Sequence, residues 1–316
     1  MSVALVSVVI PTRGRPQLLA RALDSVARQT HPRVETIVVV DGPDAETEAI
    51  LRERVQPGLR WVTNAQAAGS NAARNRGIAE ATGAYVALLD DDDEFLPAKL
   101  ERQLLALTSQ GSGFAICRVV VRSPRSEVVW PRRPPRPGEH LSEYLFARSS
   151  LFAGEGKIQT SMLMAPRAMF EQVPFDPSLP RYQEADWALR AADAGAQLAW
   201  CPDPLVVWHV DEARETITSR YAGDAQFAIS WIRERRHLVT RRAYAAYLLS
   251  RVSSVAANRG QRRLAIEIWR DAWRHGSPRF IDLLLFAGKL AIPAGLRSAL
   301  RRRLGGARAR TSATAR

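Results

Sequence analysis

A chain of 316 residues with 46% hydrophobic content can bury one large core or two modest ones. Its two cysteines, Cys117 and Cys201, are too few for a disulfide framework or a tetrahedral zinc site, which fits a reducing compartment. The net charge of +13 is segregated: from Arg233 onward 20 Lys and Arg face 4 Asp and Glu (+16), while the first 232 residues carry 25 against 28 (−3).

The opening MSVALVSVVIPTRGRP lacks the basic and long apolar regions of a signal peptide and reads as a first strand, Val6–Ile10, ended by Pro11. Pro16 then opens a helix on which Leu19, Ala22, Leu23, Val26 and Ala27 share a face. Residues 34–40 form a second buried-strand pattern closed by Asp41-Gly42-Pro43. A short helix over 44–54, a strand over 59–63 and a helix over 71–82 stopped by Gly83 follow. Residues 84–89 are a fourth strand that runs directly into Asp90-Asp91-Asp92-Asp93, and a helix spans 97–107. Strands alternating with helices predict an α/β fold with a doubly wound, largely parallel sheet, which binds ligands beyond the carboxyl ends of its strands. Thr12-Arg13, Asp41 and Asp90–Asp93 fall at such ends.

After about Gly111 the pattern changes. Residues 114–122 and 127–130 read as paired strands, and PRRPPRPG (131–138) as a mobile basic loop near a substrate entrance. A strand over 158–165, a helix over 182–194 ended by Gly195, and a strand over 205–210 complete this part. From about Thr218 the chain reads as helices. Residues 280–304 pair LLLFAGKLAIPAGL with RSALRRRL, interrupted by Pro293 and Gly295, so two short amphipathic helices are expected, then a disordered tail over 305–316. No run of about 18 apolar residues occurs, so no ordinary membrane span is expected.

Carboxylates in the turn after a parallel strand are natural ligands for a hard divalent cation. Asp90 and Asp92 make an Asp-x-Asp pattern, flanked by Asp91 and Asp93. Four adjacent aspartates repel one another and raise each other's pKa unless a cation is present. The competing reading, acids that favour the start of the next helix, does not explain their place directly after a buried strand.

SVVIPTRGRP, VVVDG, AAGSNAARNRGIAEATGAYVALLDDDDEFLPAKLE and QEADWALRAADAG occur in that order over about residues 5–210, and together they resemble glycosyltransferase family 2. The resemblance implies a GT-A fold, to which the helices read from about Thr218 are a C-terminal extension, an inverting transfer of sugar from a nucleotide diphosphate-sugar (a UDP- or dTDP-sugar favoured) to a hydroxyl, and Mg²⁺ or Mn²⁺ as cofactor. It implies a nucleotide-sugar-binding half (1–110) and an acceptor-binding half (111–217), which the basic helical extension (218–304) follows. Pro11, Thr12 and Arg13 would line the donor site, with Thr12 against the nucleoside. Asp41 would accept from the base; the family often has Asp-Asp where this chain has Val40-Asp41. Arg74 would face the diphosphate, with Gly69 and Asn75 shaping its loop. Asp92 would be the principal metal ligand, with Asp90 and Asp91 on ribose, diphosphate or metal-bound water, and His209 near the metal. The family's Glu-Asp pair is replaced here by Gln183-Glu184, with Arg190 six residues on, so Glu184 is the candidate general base and Asp186 the alternative.

A nucleotidyltransferase would want a Gly-rich phosphate loop after the first strand, and Pro11-Thr12-Arg13-Gly14-Arg15 is not one. A nucleic-acid-binding protein is the non-enzymatic alternative. The basic segment is aliphatic-rich and carries no reading motif, so no nucleic-acid partner is expected. The expected partners are a nucleotide-sugar donor, a glycan or lipid-linked acceptor, and a membrane touched peripherally through residues 280–304. The alternative is that these helices pack on the catalytic domain or form a homodimer. The expected location is the cytoplasm or the inner face of the plasma membrane.

Overall fold

The structure is a computed structural model, and it describes residues 3–54, 57–111, 113–124, 126–151, 154–210 and 224–292. The chain forms two compact units. The first holds the described residues up to Leu141 and again from Gly154 to 210; the second holds those of 142–151 and 224–292. The short segment after Leu141 joins the C-terminal unit, which composition does not reveal. Predicted features over 218–223 and 293–316, including the second amphipathic helix and the tail, lie outside the described residues.

The first unit is built on a nine-stranded sheet. In chain order its elements are β1 (Val6–Thr12), α1 (Pro16–Ala27), β2 (Val34–Val40), α2 (Ala45–Glu53), β3 (Leu59–Thr63), α3 (Ser70–Glu80), β4 (Tyr85–Leu88), β5 (Asp93–Phe95), α4 (Lys99–Ser109), β6 (Phe114–Ser123) and β7 (Ser126–Trp130). After α5 (Leu141–Phe146) come a 3₁₀ turn (Thr160–Met162), β8 (Leu163–Pro166), α6 (Arg167–Gln172), α7 (Gln183–Asp193) and β9 (Leu198–His209). The sheet order is β3-β2-β1-β4-β8-β6-β9-β5, with β7 beside β6. The four strands from β3 to β4 are parallel. Strand β8 runs antiparallel to β4 and β6, and β6 pairs parallel with β9.

Every residue of β1 is buried, and so are all but the first of β2 and of β4, which explains their largely apolar, β-branched-rich sequences, while β3 at the sheet edge is half-buried throughout. Helix α3 lies close on β1, because a Cβ at Gly77 would come within 2.4 Å of Val9 Cγ1. In the other half Trp187, fully buried on α7, packs against Phe114, Phe170 and Phe175, and its indole N–H donates to the Val173 carbonyl at 2.7 Å. Complete burial of such a ring makes Trp187→Ala cost about 3–5 kcal/mol.

Three elements differ from the sequence reading. Residues 158–165 form a strand only from Leu163, because residues 160–162 turn in a 3₁₀ helix. Strand β9 begins at Leu198, seven residues before the apolar run that marks it in sequence. Asp93 opens β5, which pairs antiparallel with β9, Asp93 opposite Trp208. The loop after Trp130 is tied down, Arg133 forking onto the Glu139 carboxylate at 2.6 and 2.7 Å.

The second unit is helical: α5, which belongs to it from Ser142, α8 (Ala225–Glu234), α9 (Arg241–Tyr247), a π-helical segment (Leu248–Val252), α10 (Ser253–Asn258), α11 (Arg262–His275) and α12 (Phe280–Ala291). Its core centres on Phe146, Trp231 and Tyr247, whose rings meet at 5.1–6.0 Å. No described helix is long and apolar enough to cross a membrane.

Candidate active site

The run after β4 splits into side chains with different environments. The Thr12 hydroxyl donates to Asp91 Oδ2 at 2.8 Å, and the Arg15 guanidinium reaches Asp91 at 3.2 Å and Asp92 at 3.4 Å. Asp90 accepts from Arg74 at 2.8 Å. Asp93 is fully buried; its Oδ2 accepts from the Gln159 amide and the Ser161 hydroxyl, each at 2.6 Å, and its Oδ1 has no hydrogen-bond partner among the described residues. One carboxylate oxygen from each of Asp90, Asp92 and Asp93 lies within 4.8 Å of the others.

This crowding has an electrostatic cost. Burial, and then the neighbouring Asp92, pushes Asp91 up to about 6, although Arg15 and the Thr12 hydroxyl act against the rise. Burial, followed by Asp90 and Asp92, holds Asp93 well above the usual carboxylate range. A buried carboxylate oxygen without a donor and three convergent acids are what a hard cation with oxygen ligands would relieve. The donor set therefore fits Mg²⁺ or Mn²⁺.

The segment Gln159-Thr160-Ser161 joins this cluster to the candidate base. Gln159 and Ser161 hold Asp93, and the Ser161 hydroxyl also receives the Asp90 backbone N–H at 3.1 Å. Between them, the Thr160 hydroxyl donates to Glu184 Oε1 at 2.7 Å, at the first turn of α7. Asp186 is fully buried, and its carboxylate accepts from Arg190 at 2.7 Å. It braces the helix, while Glu184 is only partly buried. The chain enters α7 through Tyr182 in a left-handed conformation (φ 64°).

Most of the other predicted site residues are held by protein neighbours that the sequence does not show. Asp41 accepts from the Asn64 amide at 2.9 Å and from the backbone N–H groups of Ala68 and Gly69 at 2.8 and 2.9 Å. It thus shapes the loop into α3, at whose N-cap Gly69 has φ 91°, and retains about one free acceptor position. Arg74 is buried on Asn71 and Asp90 and does not stand open to solvent. Asn71 and Asn75 reach across to the backbone of Phe175, Asp176 and Leu179, fastening the approach to α7 onto α3. His209 stands apart from the three-acid group: its Nε2 lies 2.7 Å from Glu94 Oε1, beside Arg21 and Arg28. That pairing follows from β9 and β5 being neighbours, so His209 and Glu94 sit on adjacent strands. Pro11 is buried, and Arg13 is exposed with no partner among the described residues. Sequence reasoning missed Gln159, Thr160, Ser161 and Arg15. The only signal for the first three was a polar triplet heading the apolar MLMA.

A partly parallel sheet with acids beyond β4 and a second carboxylate at the head of a facing helix is the architecture of GT-A glycosyltransferases. The chain belongs to glycosyl transferase family 2, whose model matches residues 7–175, and it is a glycosyltransferase. It is 30% identical over 259 residues to the amylovoran biosynthesis glycosyltransferase AmsB of Erwinia amylovora, covering 77% of this chain and 82% of that one. Two solved structures share the fold. S. aureus TarS residues 1–349, in complex with UDP-GlcNAc, superposes with a TM-score of 0.59 at 15% identity, over 90% of this chain and 79% of that one. The mannosyltransferase PcManGT from Pyrobaculum calidifontis, in complex with GDP-Man and Mn²⁺, gives 0.59 at 20% identity, over 94% and 83%. Family membership sets aside the nucleotidyltransferase and nucleic-acid-binding readings.

Proposed function

We propose that this glycosyltransferase is an inverting, Mg²⁺- or Mn²⁺-dependent enzyme that moves a sugar from a UDP- or dTDP-sugar to a hydroxyl of a lipid-linked or cell-surface glycan. The observation that carries the reading is the single polar segment, Gln159–Ser161, that fixes both the acid cluster and Glu184. The name of AmsB points to polysaccharide assembly, and nucleotide-sugars occupy two structures of the same fold.

Asp92, Asp90 and Asp93 would hold the cation, which when bound offsets negative charge growing on the departing diphosphate. Arg15, half-exposed beside Asp91 and Asp92, together with exposed Arg13, presents guanidinium donors to the phosphate oxygens. Arg74 acts by orienting Asp90. Asp41 uses its remaining acceptor position for a base N–H, a pairing suited to uracil or thymine. Glu184, its Oε1 held by Thr160, leaves Oε2 to take the proton of the acceptor hydroxyl as that oxygen attacks the anomeric carbon opposite the leaving group. A membrane is met peripherally by α12 and the residues that follow it, 280–304.

The test is transfer from a panel of UDP-, dTDP- and GDP-sugars with Mn²⁺ or EDTA. Activity confined to one of the first two classes and abolished by EDTA is expected; equal turnover in EDTA would reject the metal role.

A further inference from the structure

Helix α11 of the second unit presents three distinct faces. Ala265, Ile268 and Ala272 are buried. At helical spacing Arg263, Arg270 and Arg274 form a second stripe, all exposed and without partners among the described residues. Between these two runs a third stripe, Ile266, Trp269 and Trp273, of which Ile266 is 53% and Trp273 50% exposed. Trp269 packs on Trp273 at 5.9 Å and on the buried Phe286 of α12 at 5.4 Å, which anchors the strip to the unit's core; on α12 itself Phe280 is 79% exposed.

The arginine stripe lines a cavity of about 680 Å³. Five arginines and two carboxylates contribute to its wall. Both carboxylates, Asp271 and Glu267, turn to one arginine, Arg233, at 2.6 and 3.3 Å. Arg236 is held by the Val239 and His275 carbonyls and lies over the Tyr244 ring, which fixes its position without cancelling its charge. The cavity is therefore a preformed cationic pocket with exposed tryptophan on its flank. Guanidinium forks match phosphate oxygens, and tryptophan favours the boundary between lipid headgroups and acyl chains.

We propose that the pocket lined by Arg236, Arg263, Arg270 and Arg274 binds the phosphate of an anionic lipid headgroup, while Trp273 and Ile266 enter the bilayer interface beside it. This rests on the membrane reading above and moves the principal contact from α12 and the residues after it to a defined site on α11. Soluble anions share the phosphate chemistry; the adjoining apolar strip is what commits the site to a lipid, because a free phosphate would leave it exposed.

The test is co-sedimentation of the full chain with vesicles of phosphatidylglycerol and phosphatidylcholine, and of phosphatidylcholine alone. Binding to the anionic vesicles only is expected. Arg263→Gln/Arg270→Gln/Arg274→Gln should weaken it by roughly tenfold or more, since each basic side chain near an anionic surface strengthens attachment severalfold. The matching lysine variant should keep most of the binding, and removal of the same charge at Arg301, Arg302 and Arg303 should have the smaller effect. Unchanged melting curves would confirm folding, as expected for exposed arginines without partners. If the wild type binds vesicles and the glutamine variant binds as well, the pocket is refuted but the membrane reading stands. If the wild type ignores vesicles, both fail, and inorganic phosphate broadened in ³¹P spectra by the wild type alone would then mark a soluble-anion pocket.

Discussion

Two carboxylate knots sit at opposite ends of the same parallel strands. At the amino ends of β1 and β2, Glu35 accepts from the Ser7 hydroxyl at 2.5 Å, from the Thr82 N–H and hydroxyl at 2.6 and 2.9 Å, and from the Gly83 N–H at 2.9 Å. Burial would raise its pKa, but these donors outweigh it and the net shift is downward. The site is tight enough to require glycine at 83, where a Cβ would stand 2.6 Å from Ser7 Oγ. At the carboxyl ends the balance is reversed. Asp91 and Asp93 are buried with too few donors and too many like charges, and both shift upward. One end is a satisfied carboxylate that closes the fold; the other is a strained set of acids that a cation would complete.

Substitutions should separate the two ends. Asp92→Ala is expected to lower turnover on the order of a thousandfold, the equivalent of several kcal/mol of leaving-group stabilisation, while the melting temperature holds or rises. Steady-state transfer together with calorimetric melting checks both. Glu184→Gln should lower kcat by about a hundredfold to ten-thousandfold with nucleotide affinity intact, the mark of a lost general base; normal turnover would move that role to Asp186. Glu35→Gln should do the opposite of Asp92→Ala. It costs about 2 kcal/mol of stability, seen in urea unfolding, and leaves turnover per folded molecule unchanged.

The smallest expected effect is in the pH dependence of the cation-free protein. A folded carboxyl pKa above its unfolded value means that folding favours the protonated form, so Asp91, at about 6 against 3.8, adds stability as pH falls from 7 toward 5. Glu35 has the reverse sign: its contribution is present above 4.5 and is lost as pH falls through its lower folded value. The buried Lys99, lowered to about 7 by desolvation, acts mainly above that pH. Melting temperature should therefore rise by a few degrees from pH 7 to pH 5 and drop at lower pH. Saturating Mn²⁺ should flatten the rise, and a rise unaffected by Mn²⁺ would break the comparison.

The parallel half was legible in the sequence because buried parallel strands read as continuous apolar runs ended by Pro, Gly or Asp. β2 and β3 match their expected limits residue for residue. The acid run was legible for the same reason, being the turn after β4. The support beneath it was not. Gln159 and Ser161 lie 66 and 68 residues from Asp93 and carry no charge, so only the fold shows that they hold it. Asp93 reads in sequence only as the last acid of the run, yet it opens a strand and is fully buried. The His209–Glu94 pair was hidden likewise, since it depends on β5, three residues long within an acidic stretch.

The most direct test of the claim that the fold holds these acids together for a cation is calorimetric titration of Mn²⁺ into the cation-free protein with UDP present. One Mn²⁺ site in the wild type is predicted, lost in Asp92→Asn, weakened in Asp93→Asn and unchanged in Glu35→Gln. Equal Mn²⁺ affinity in all four proteins would contradict the account.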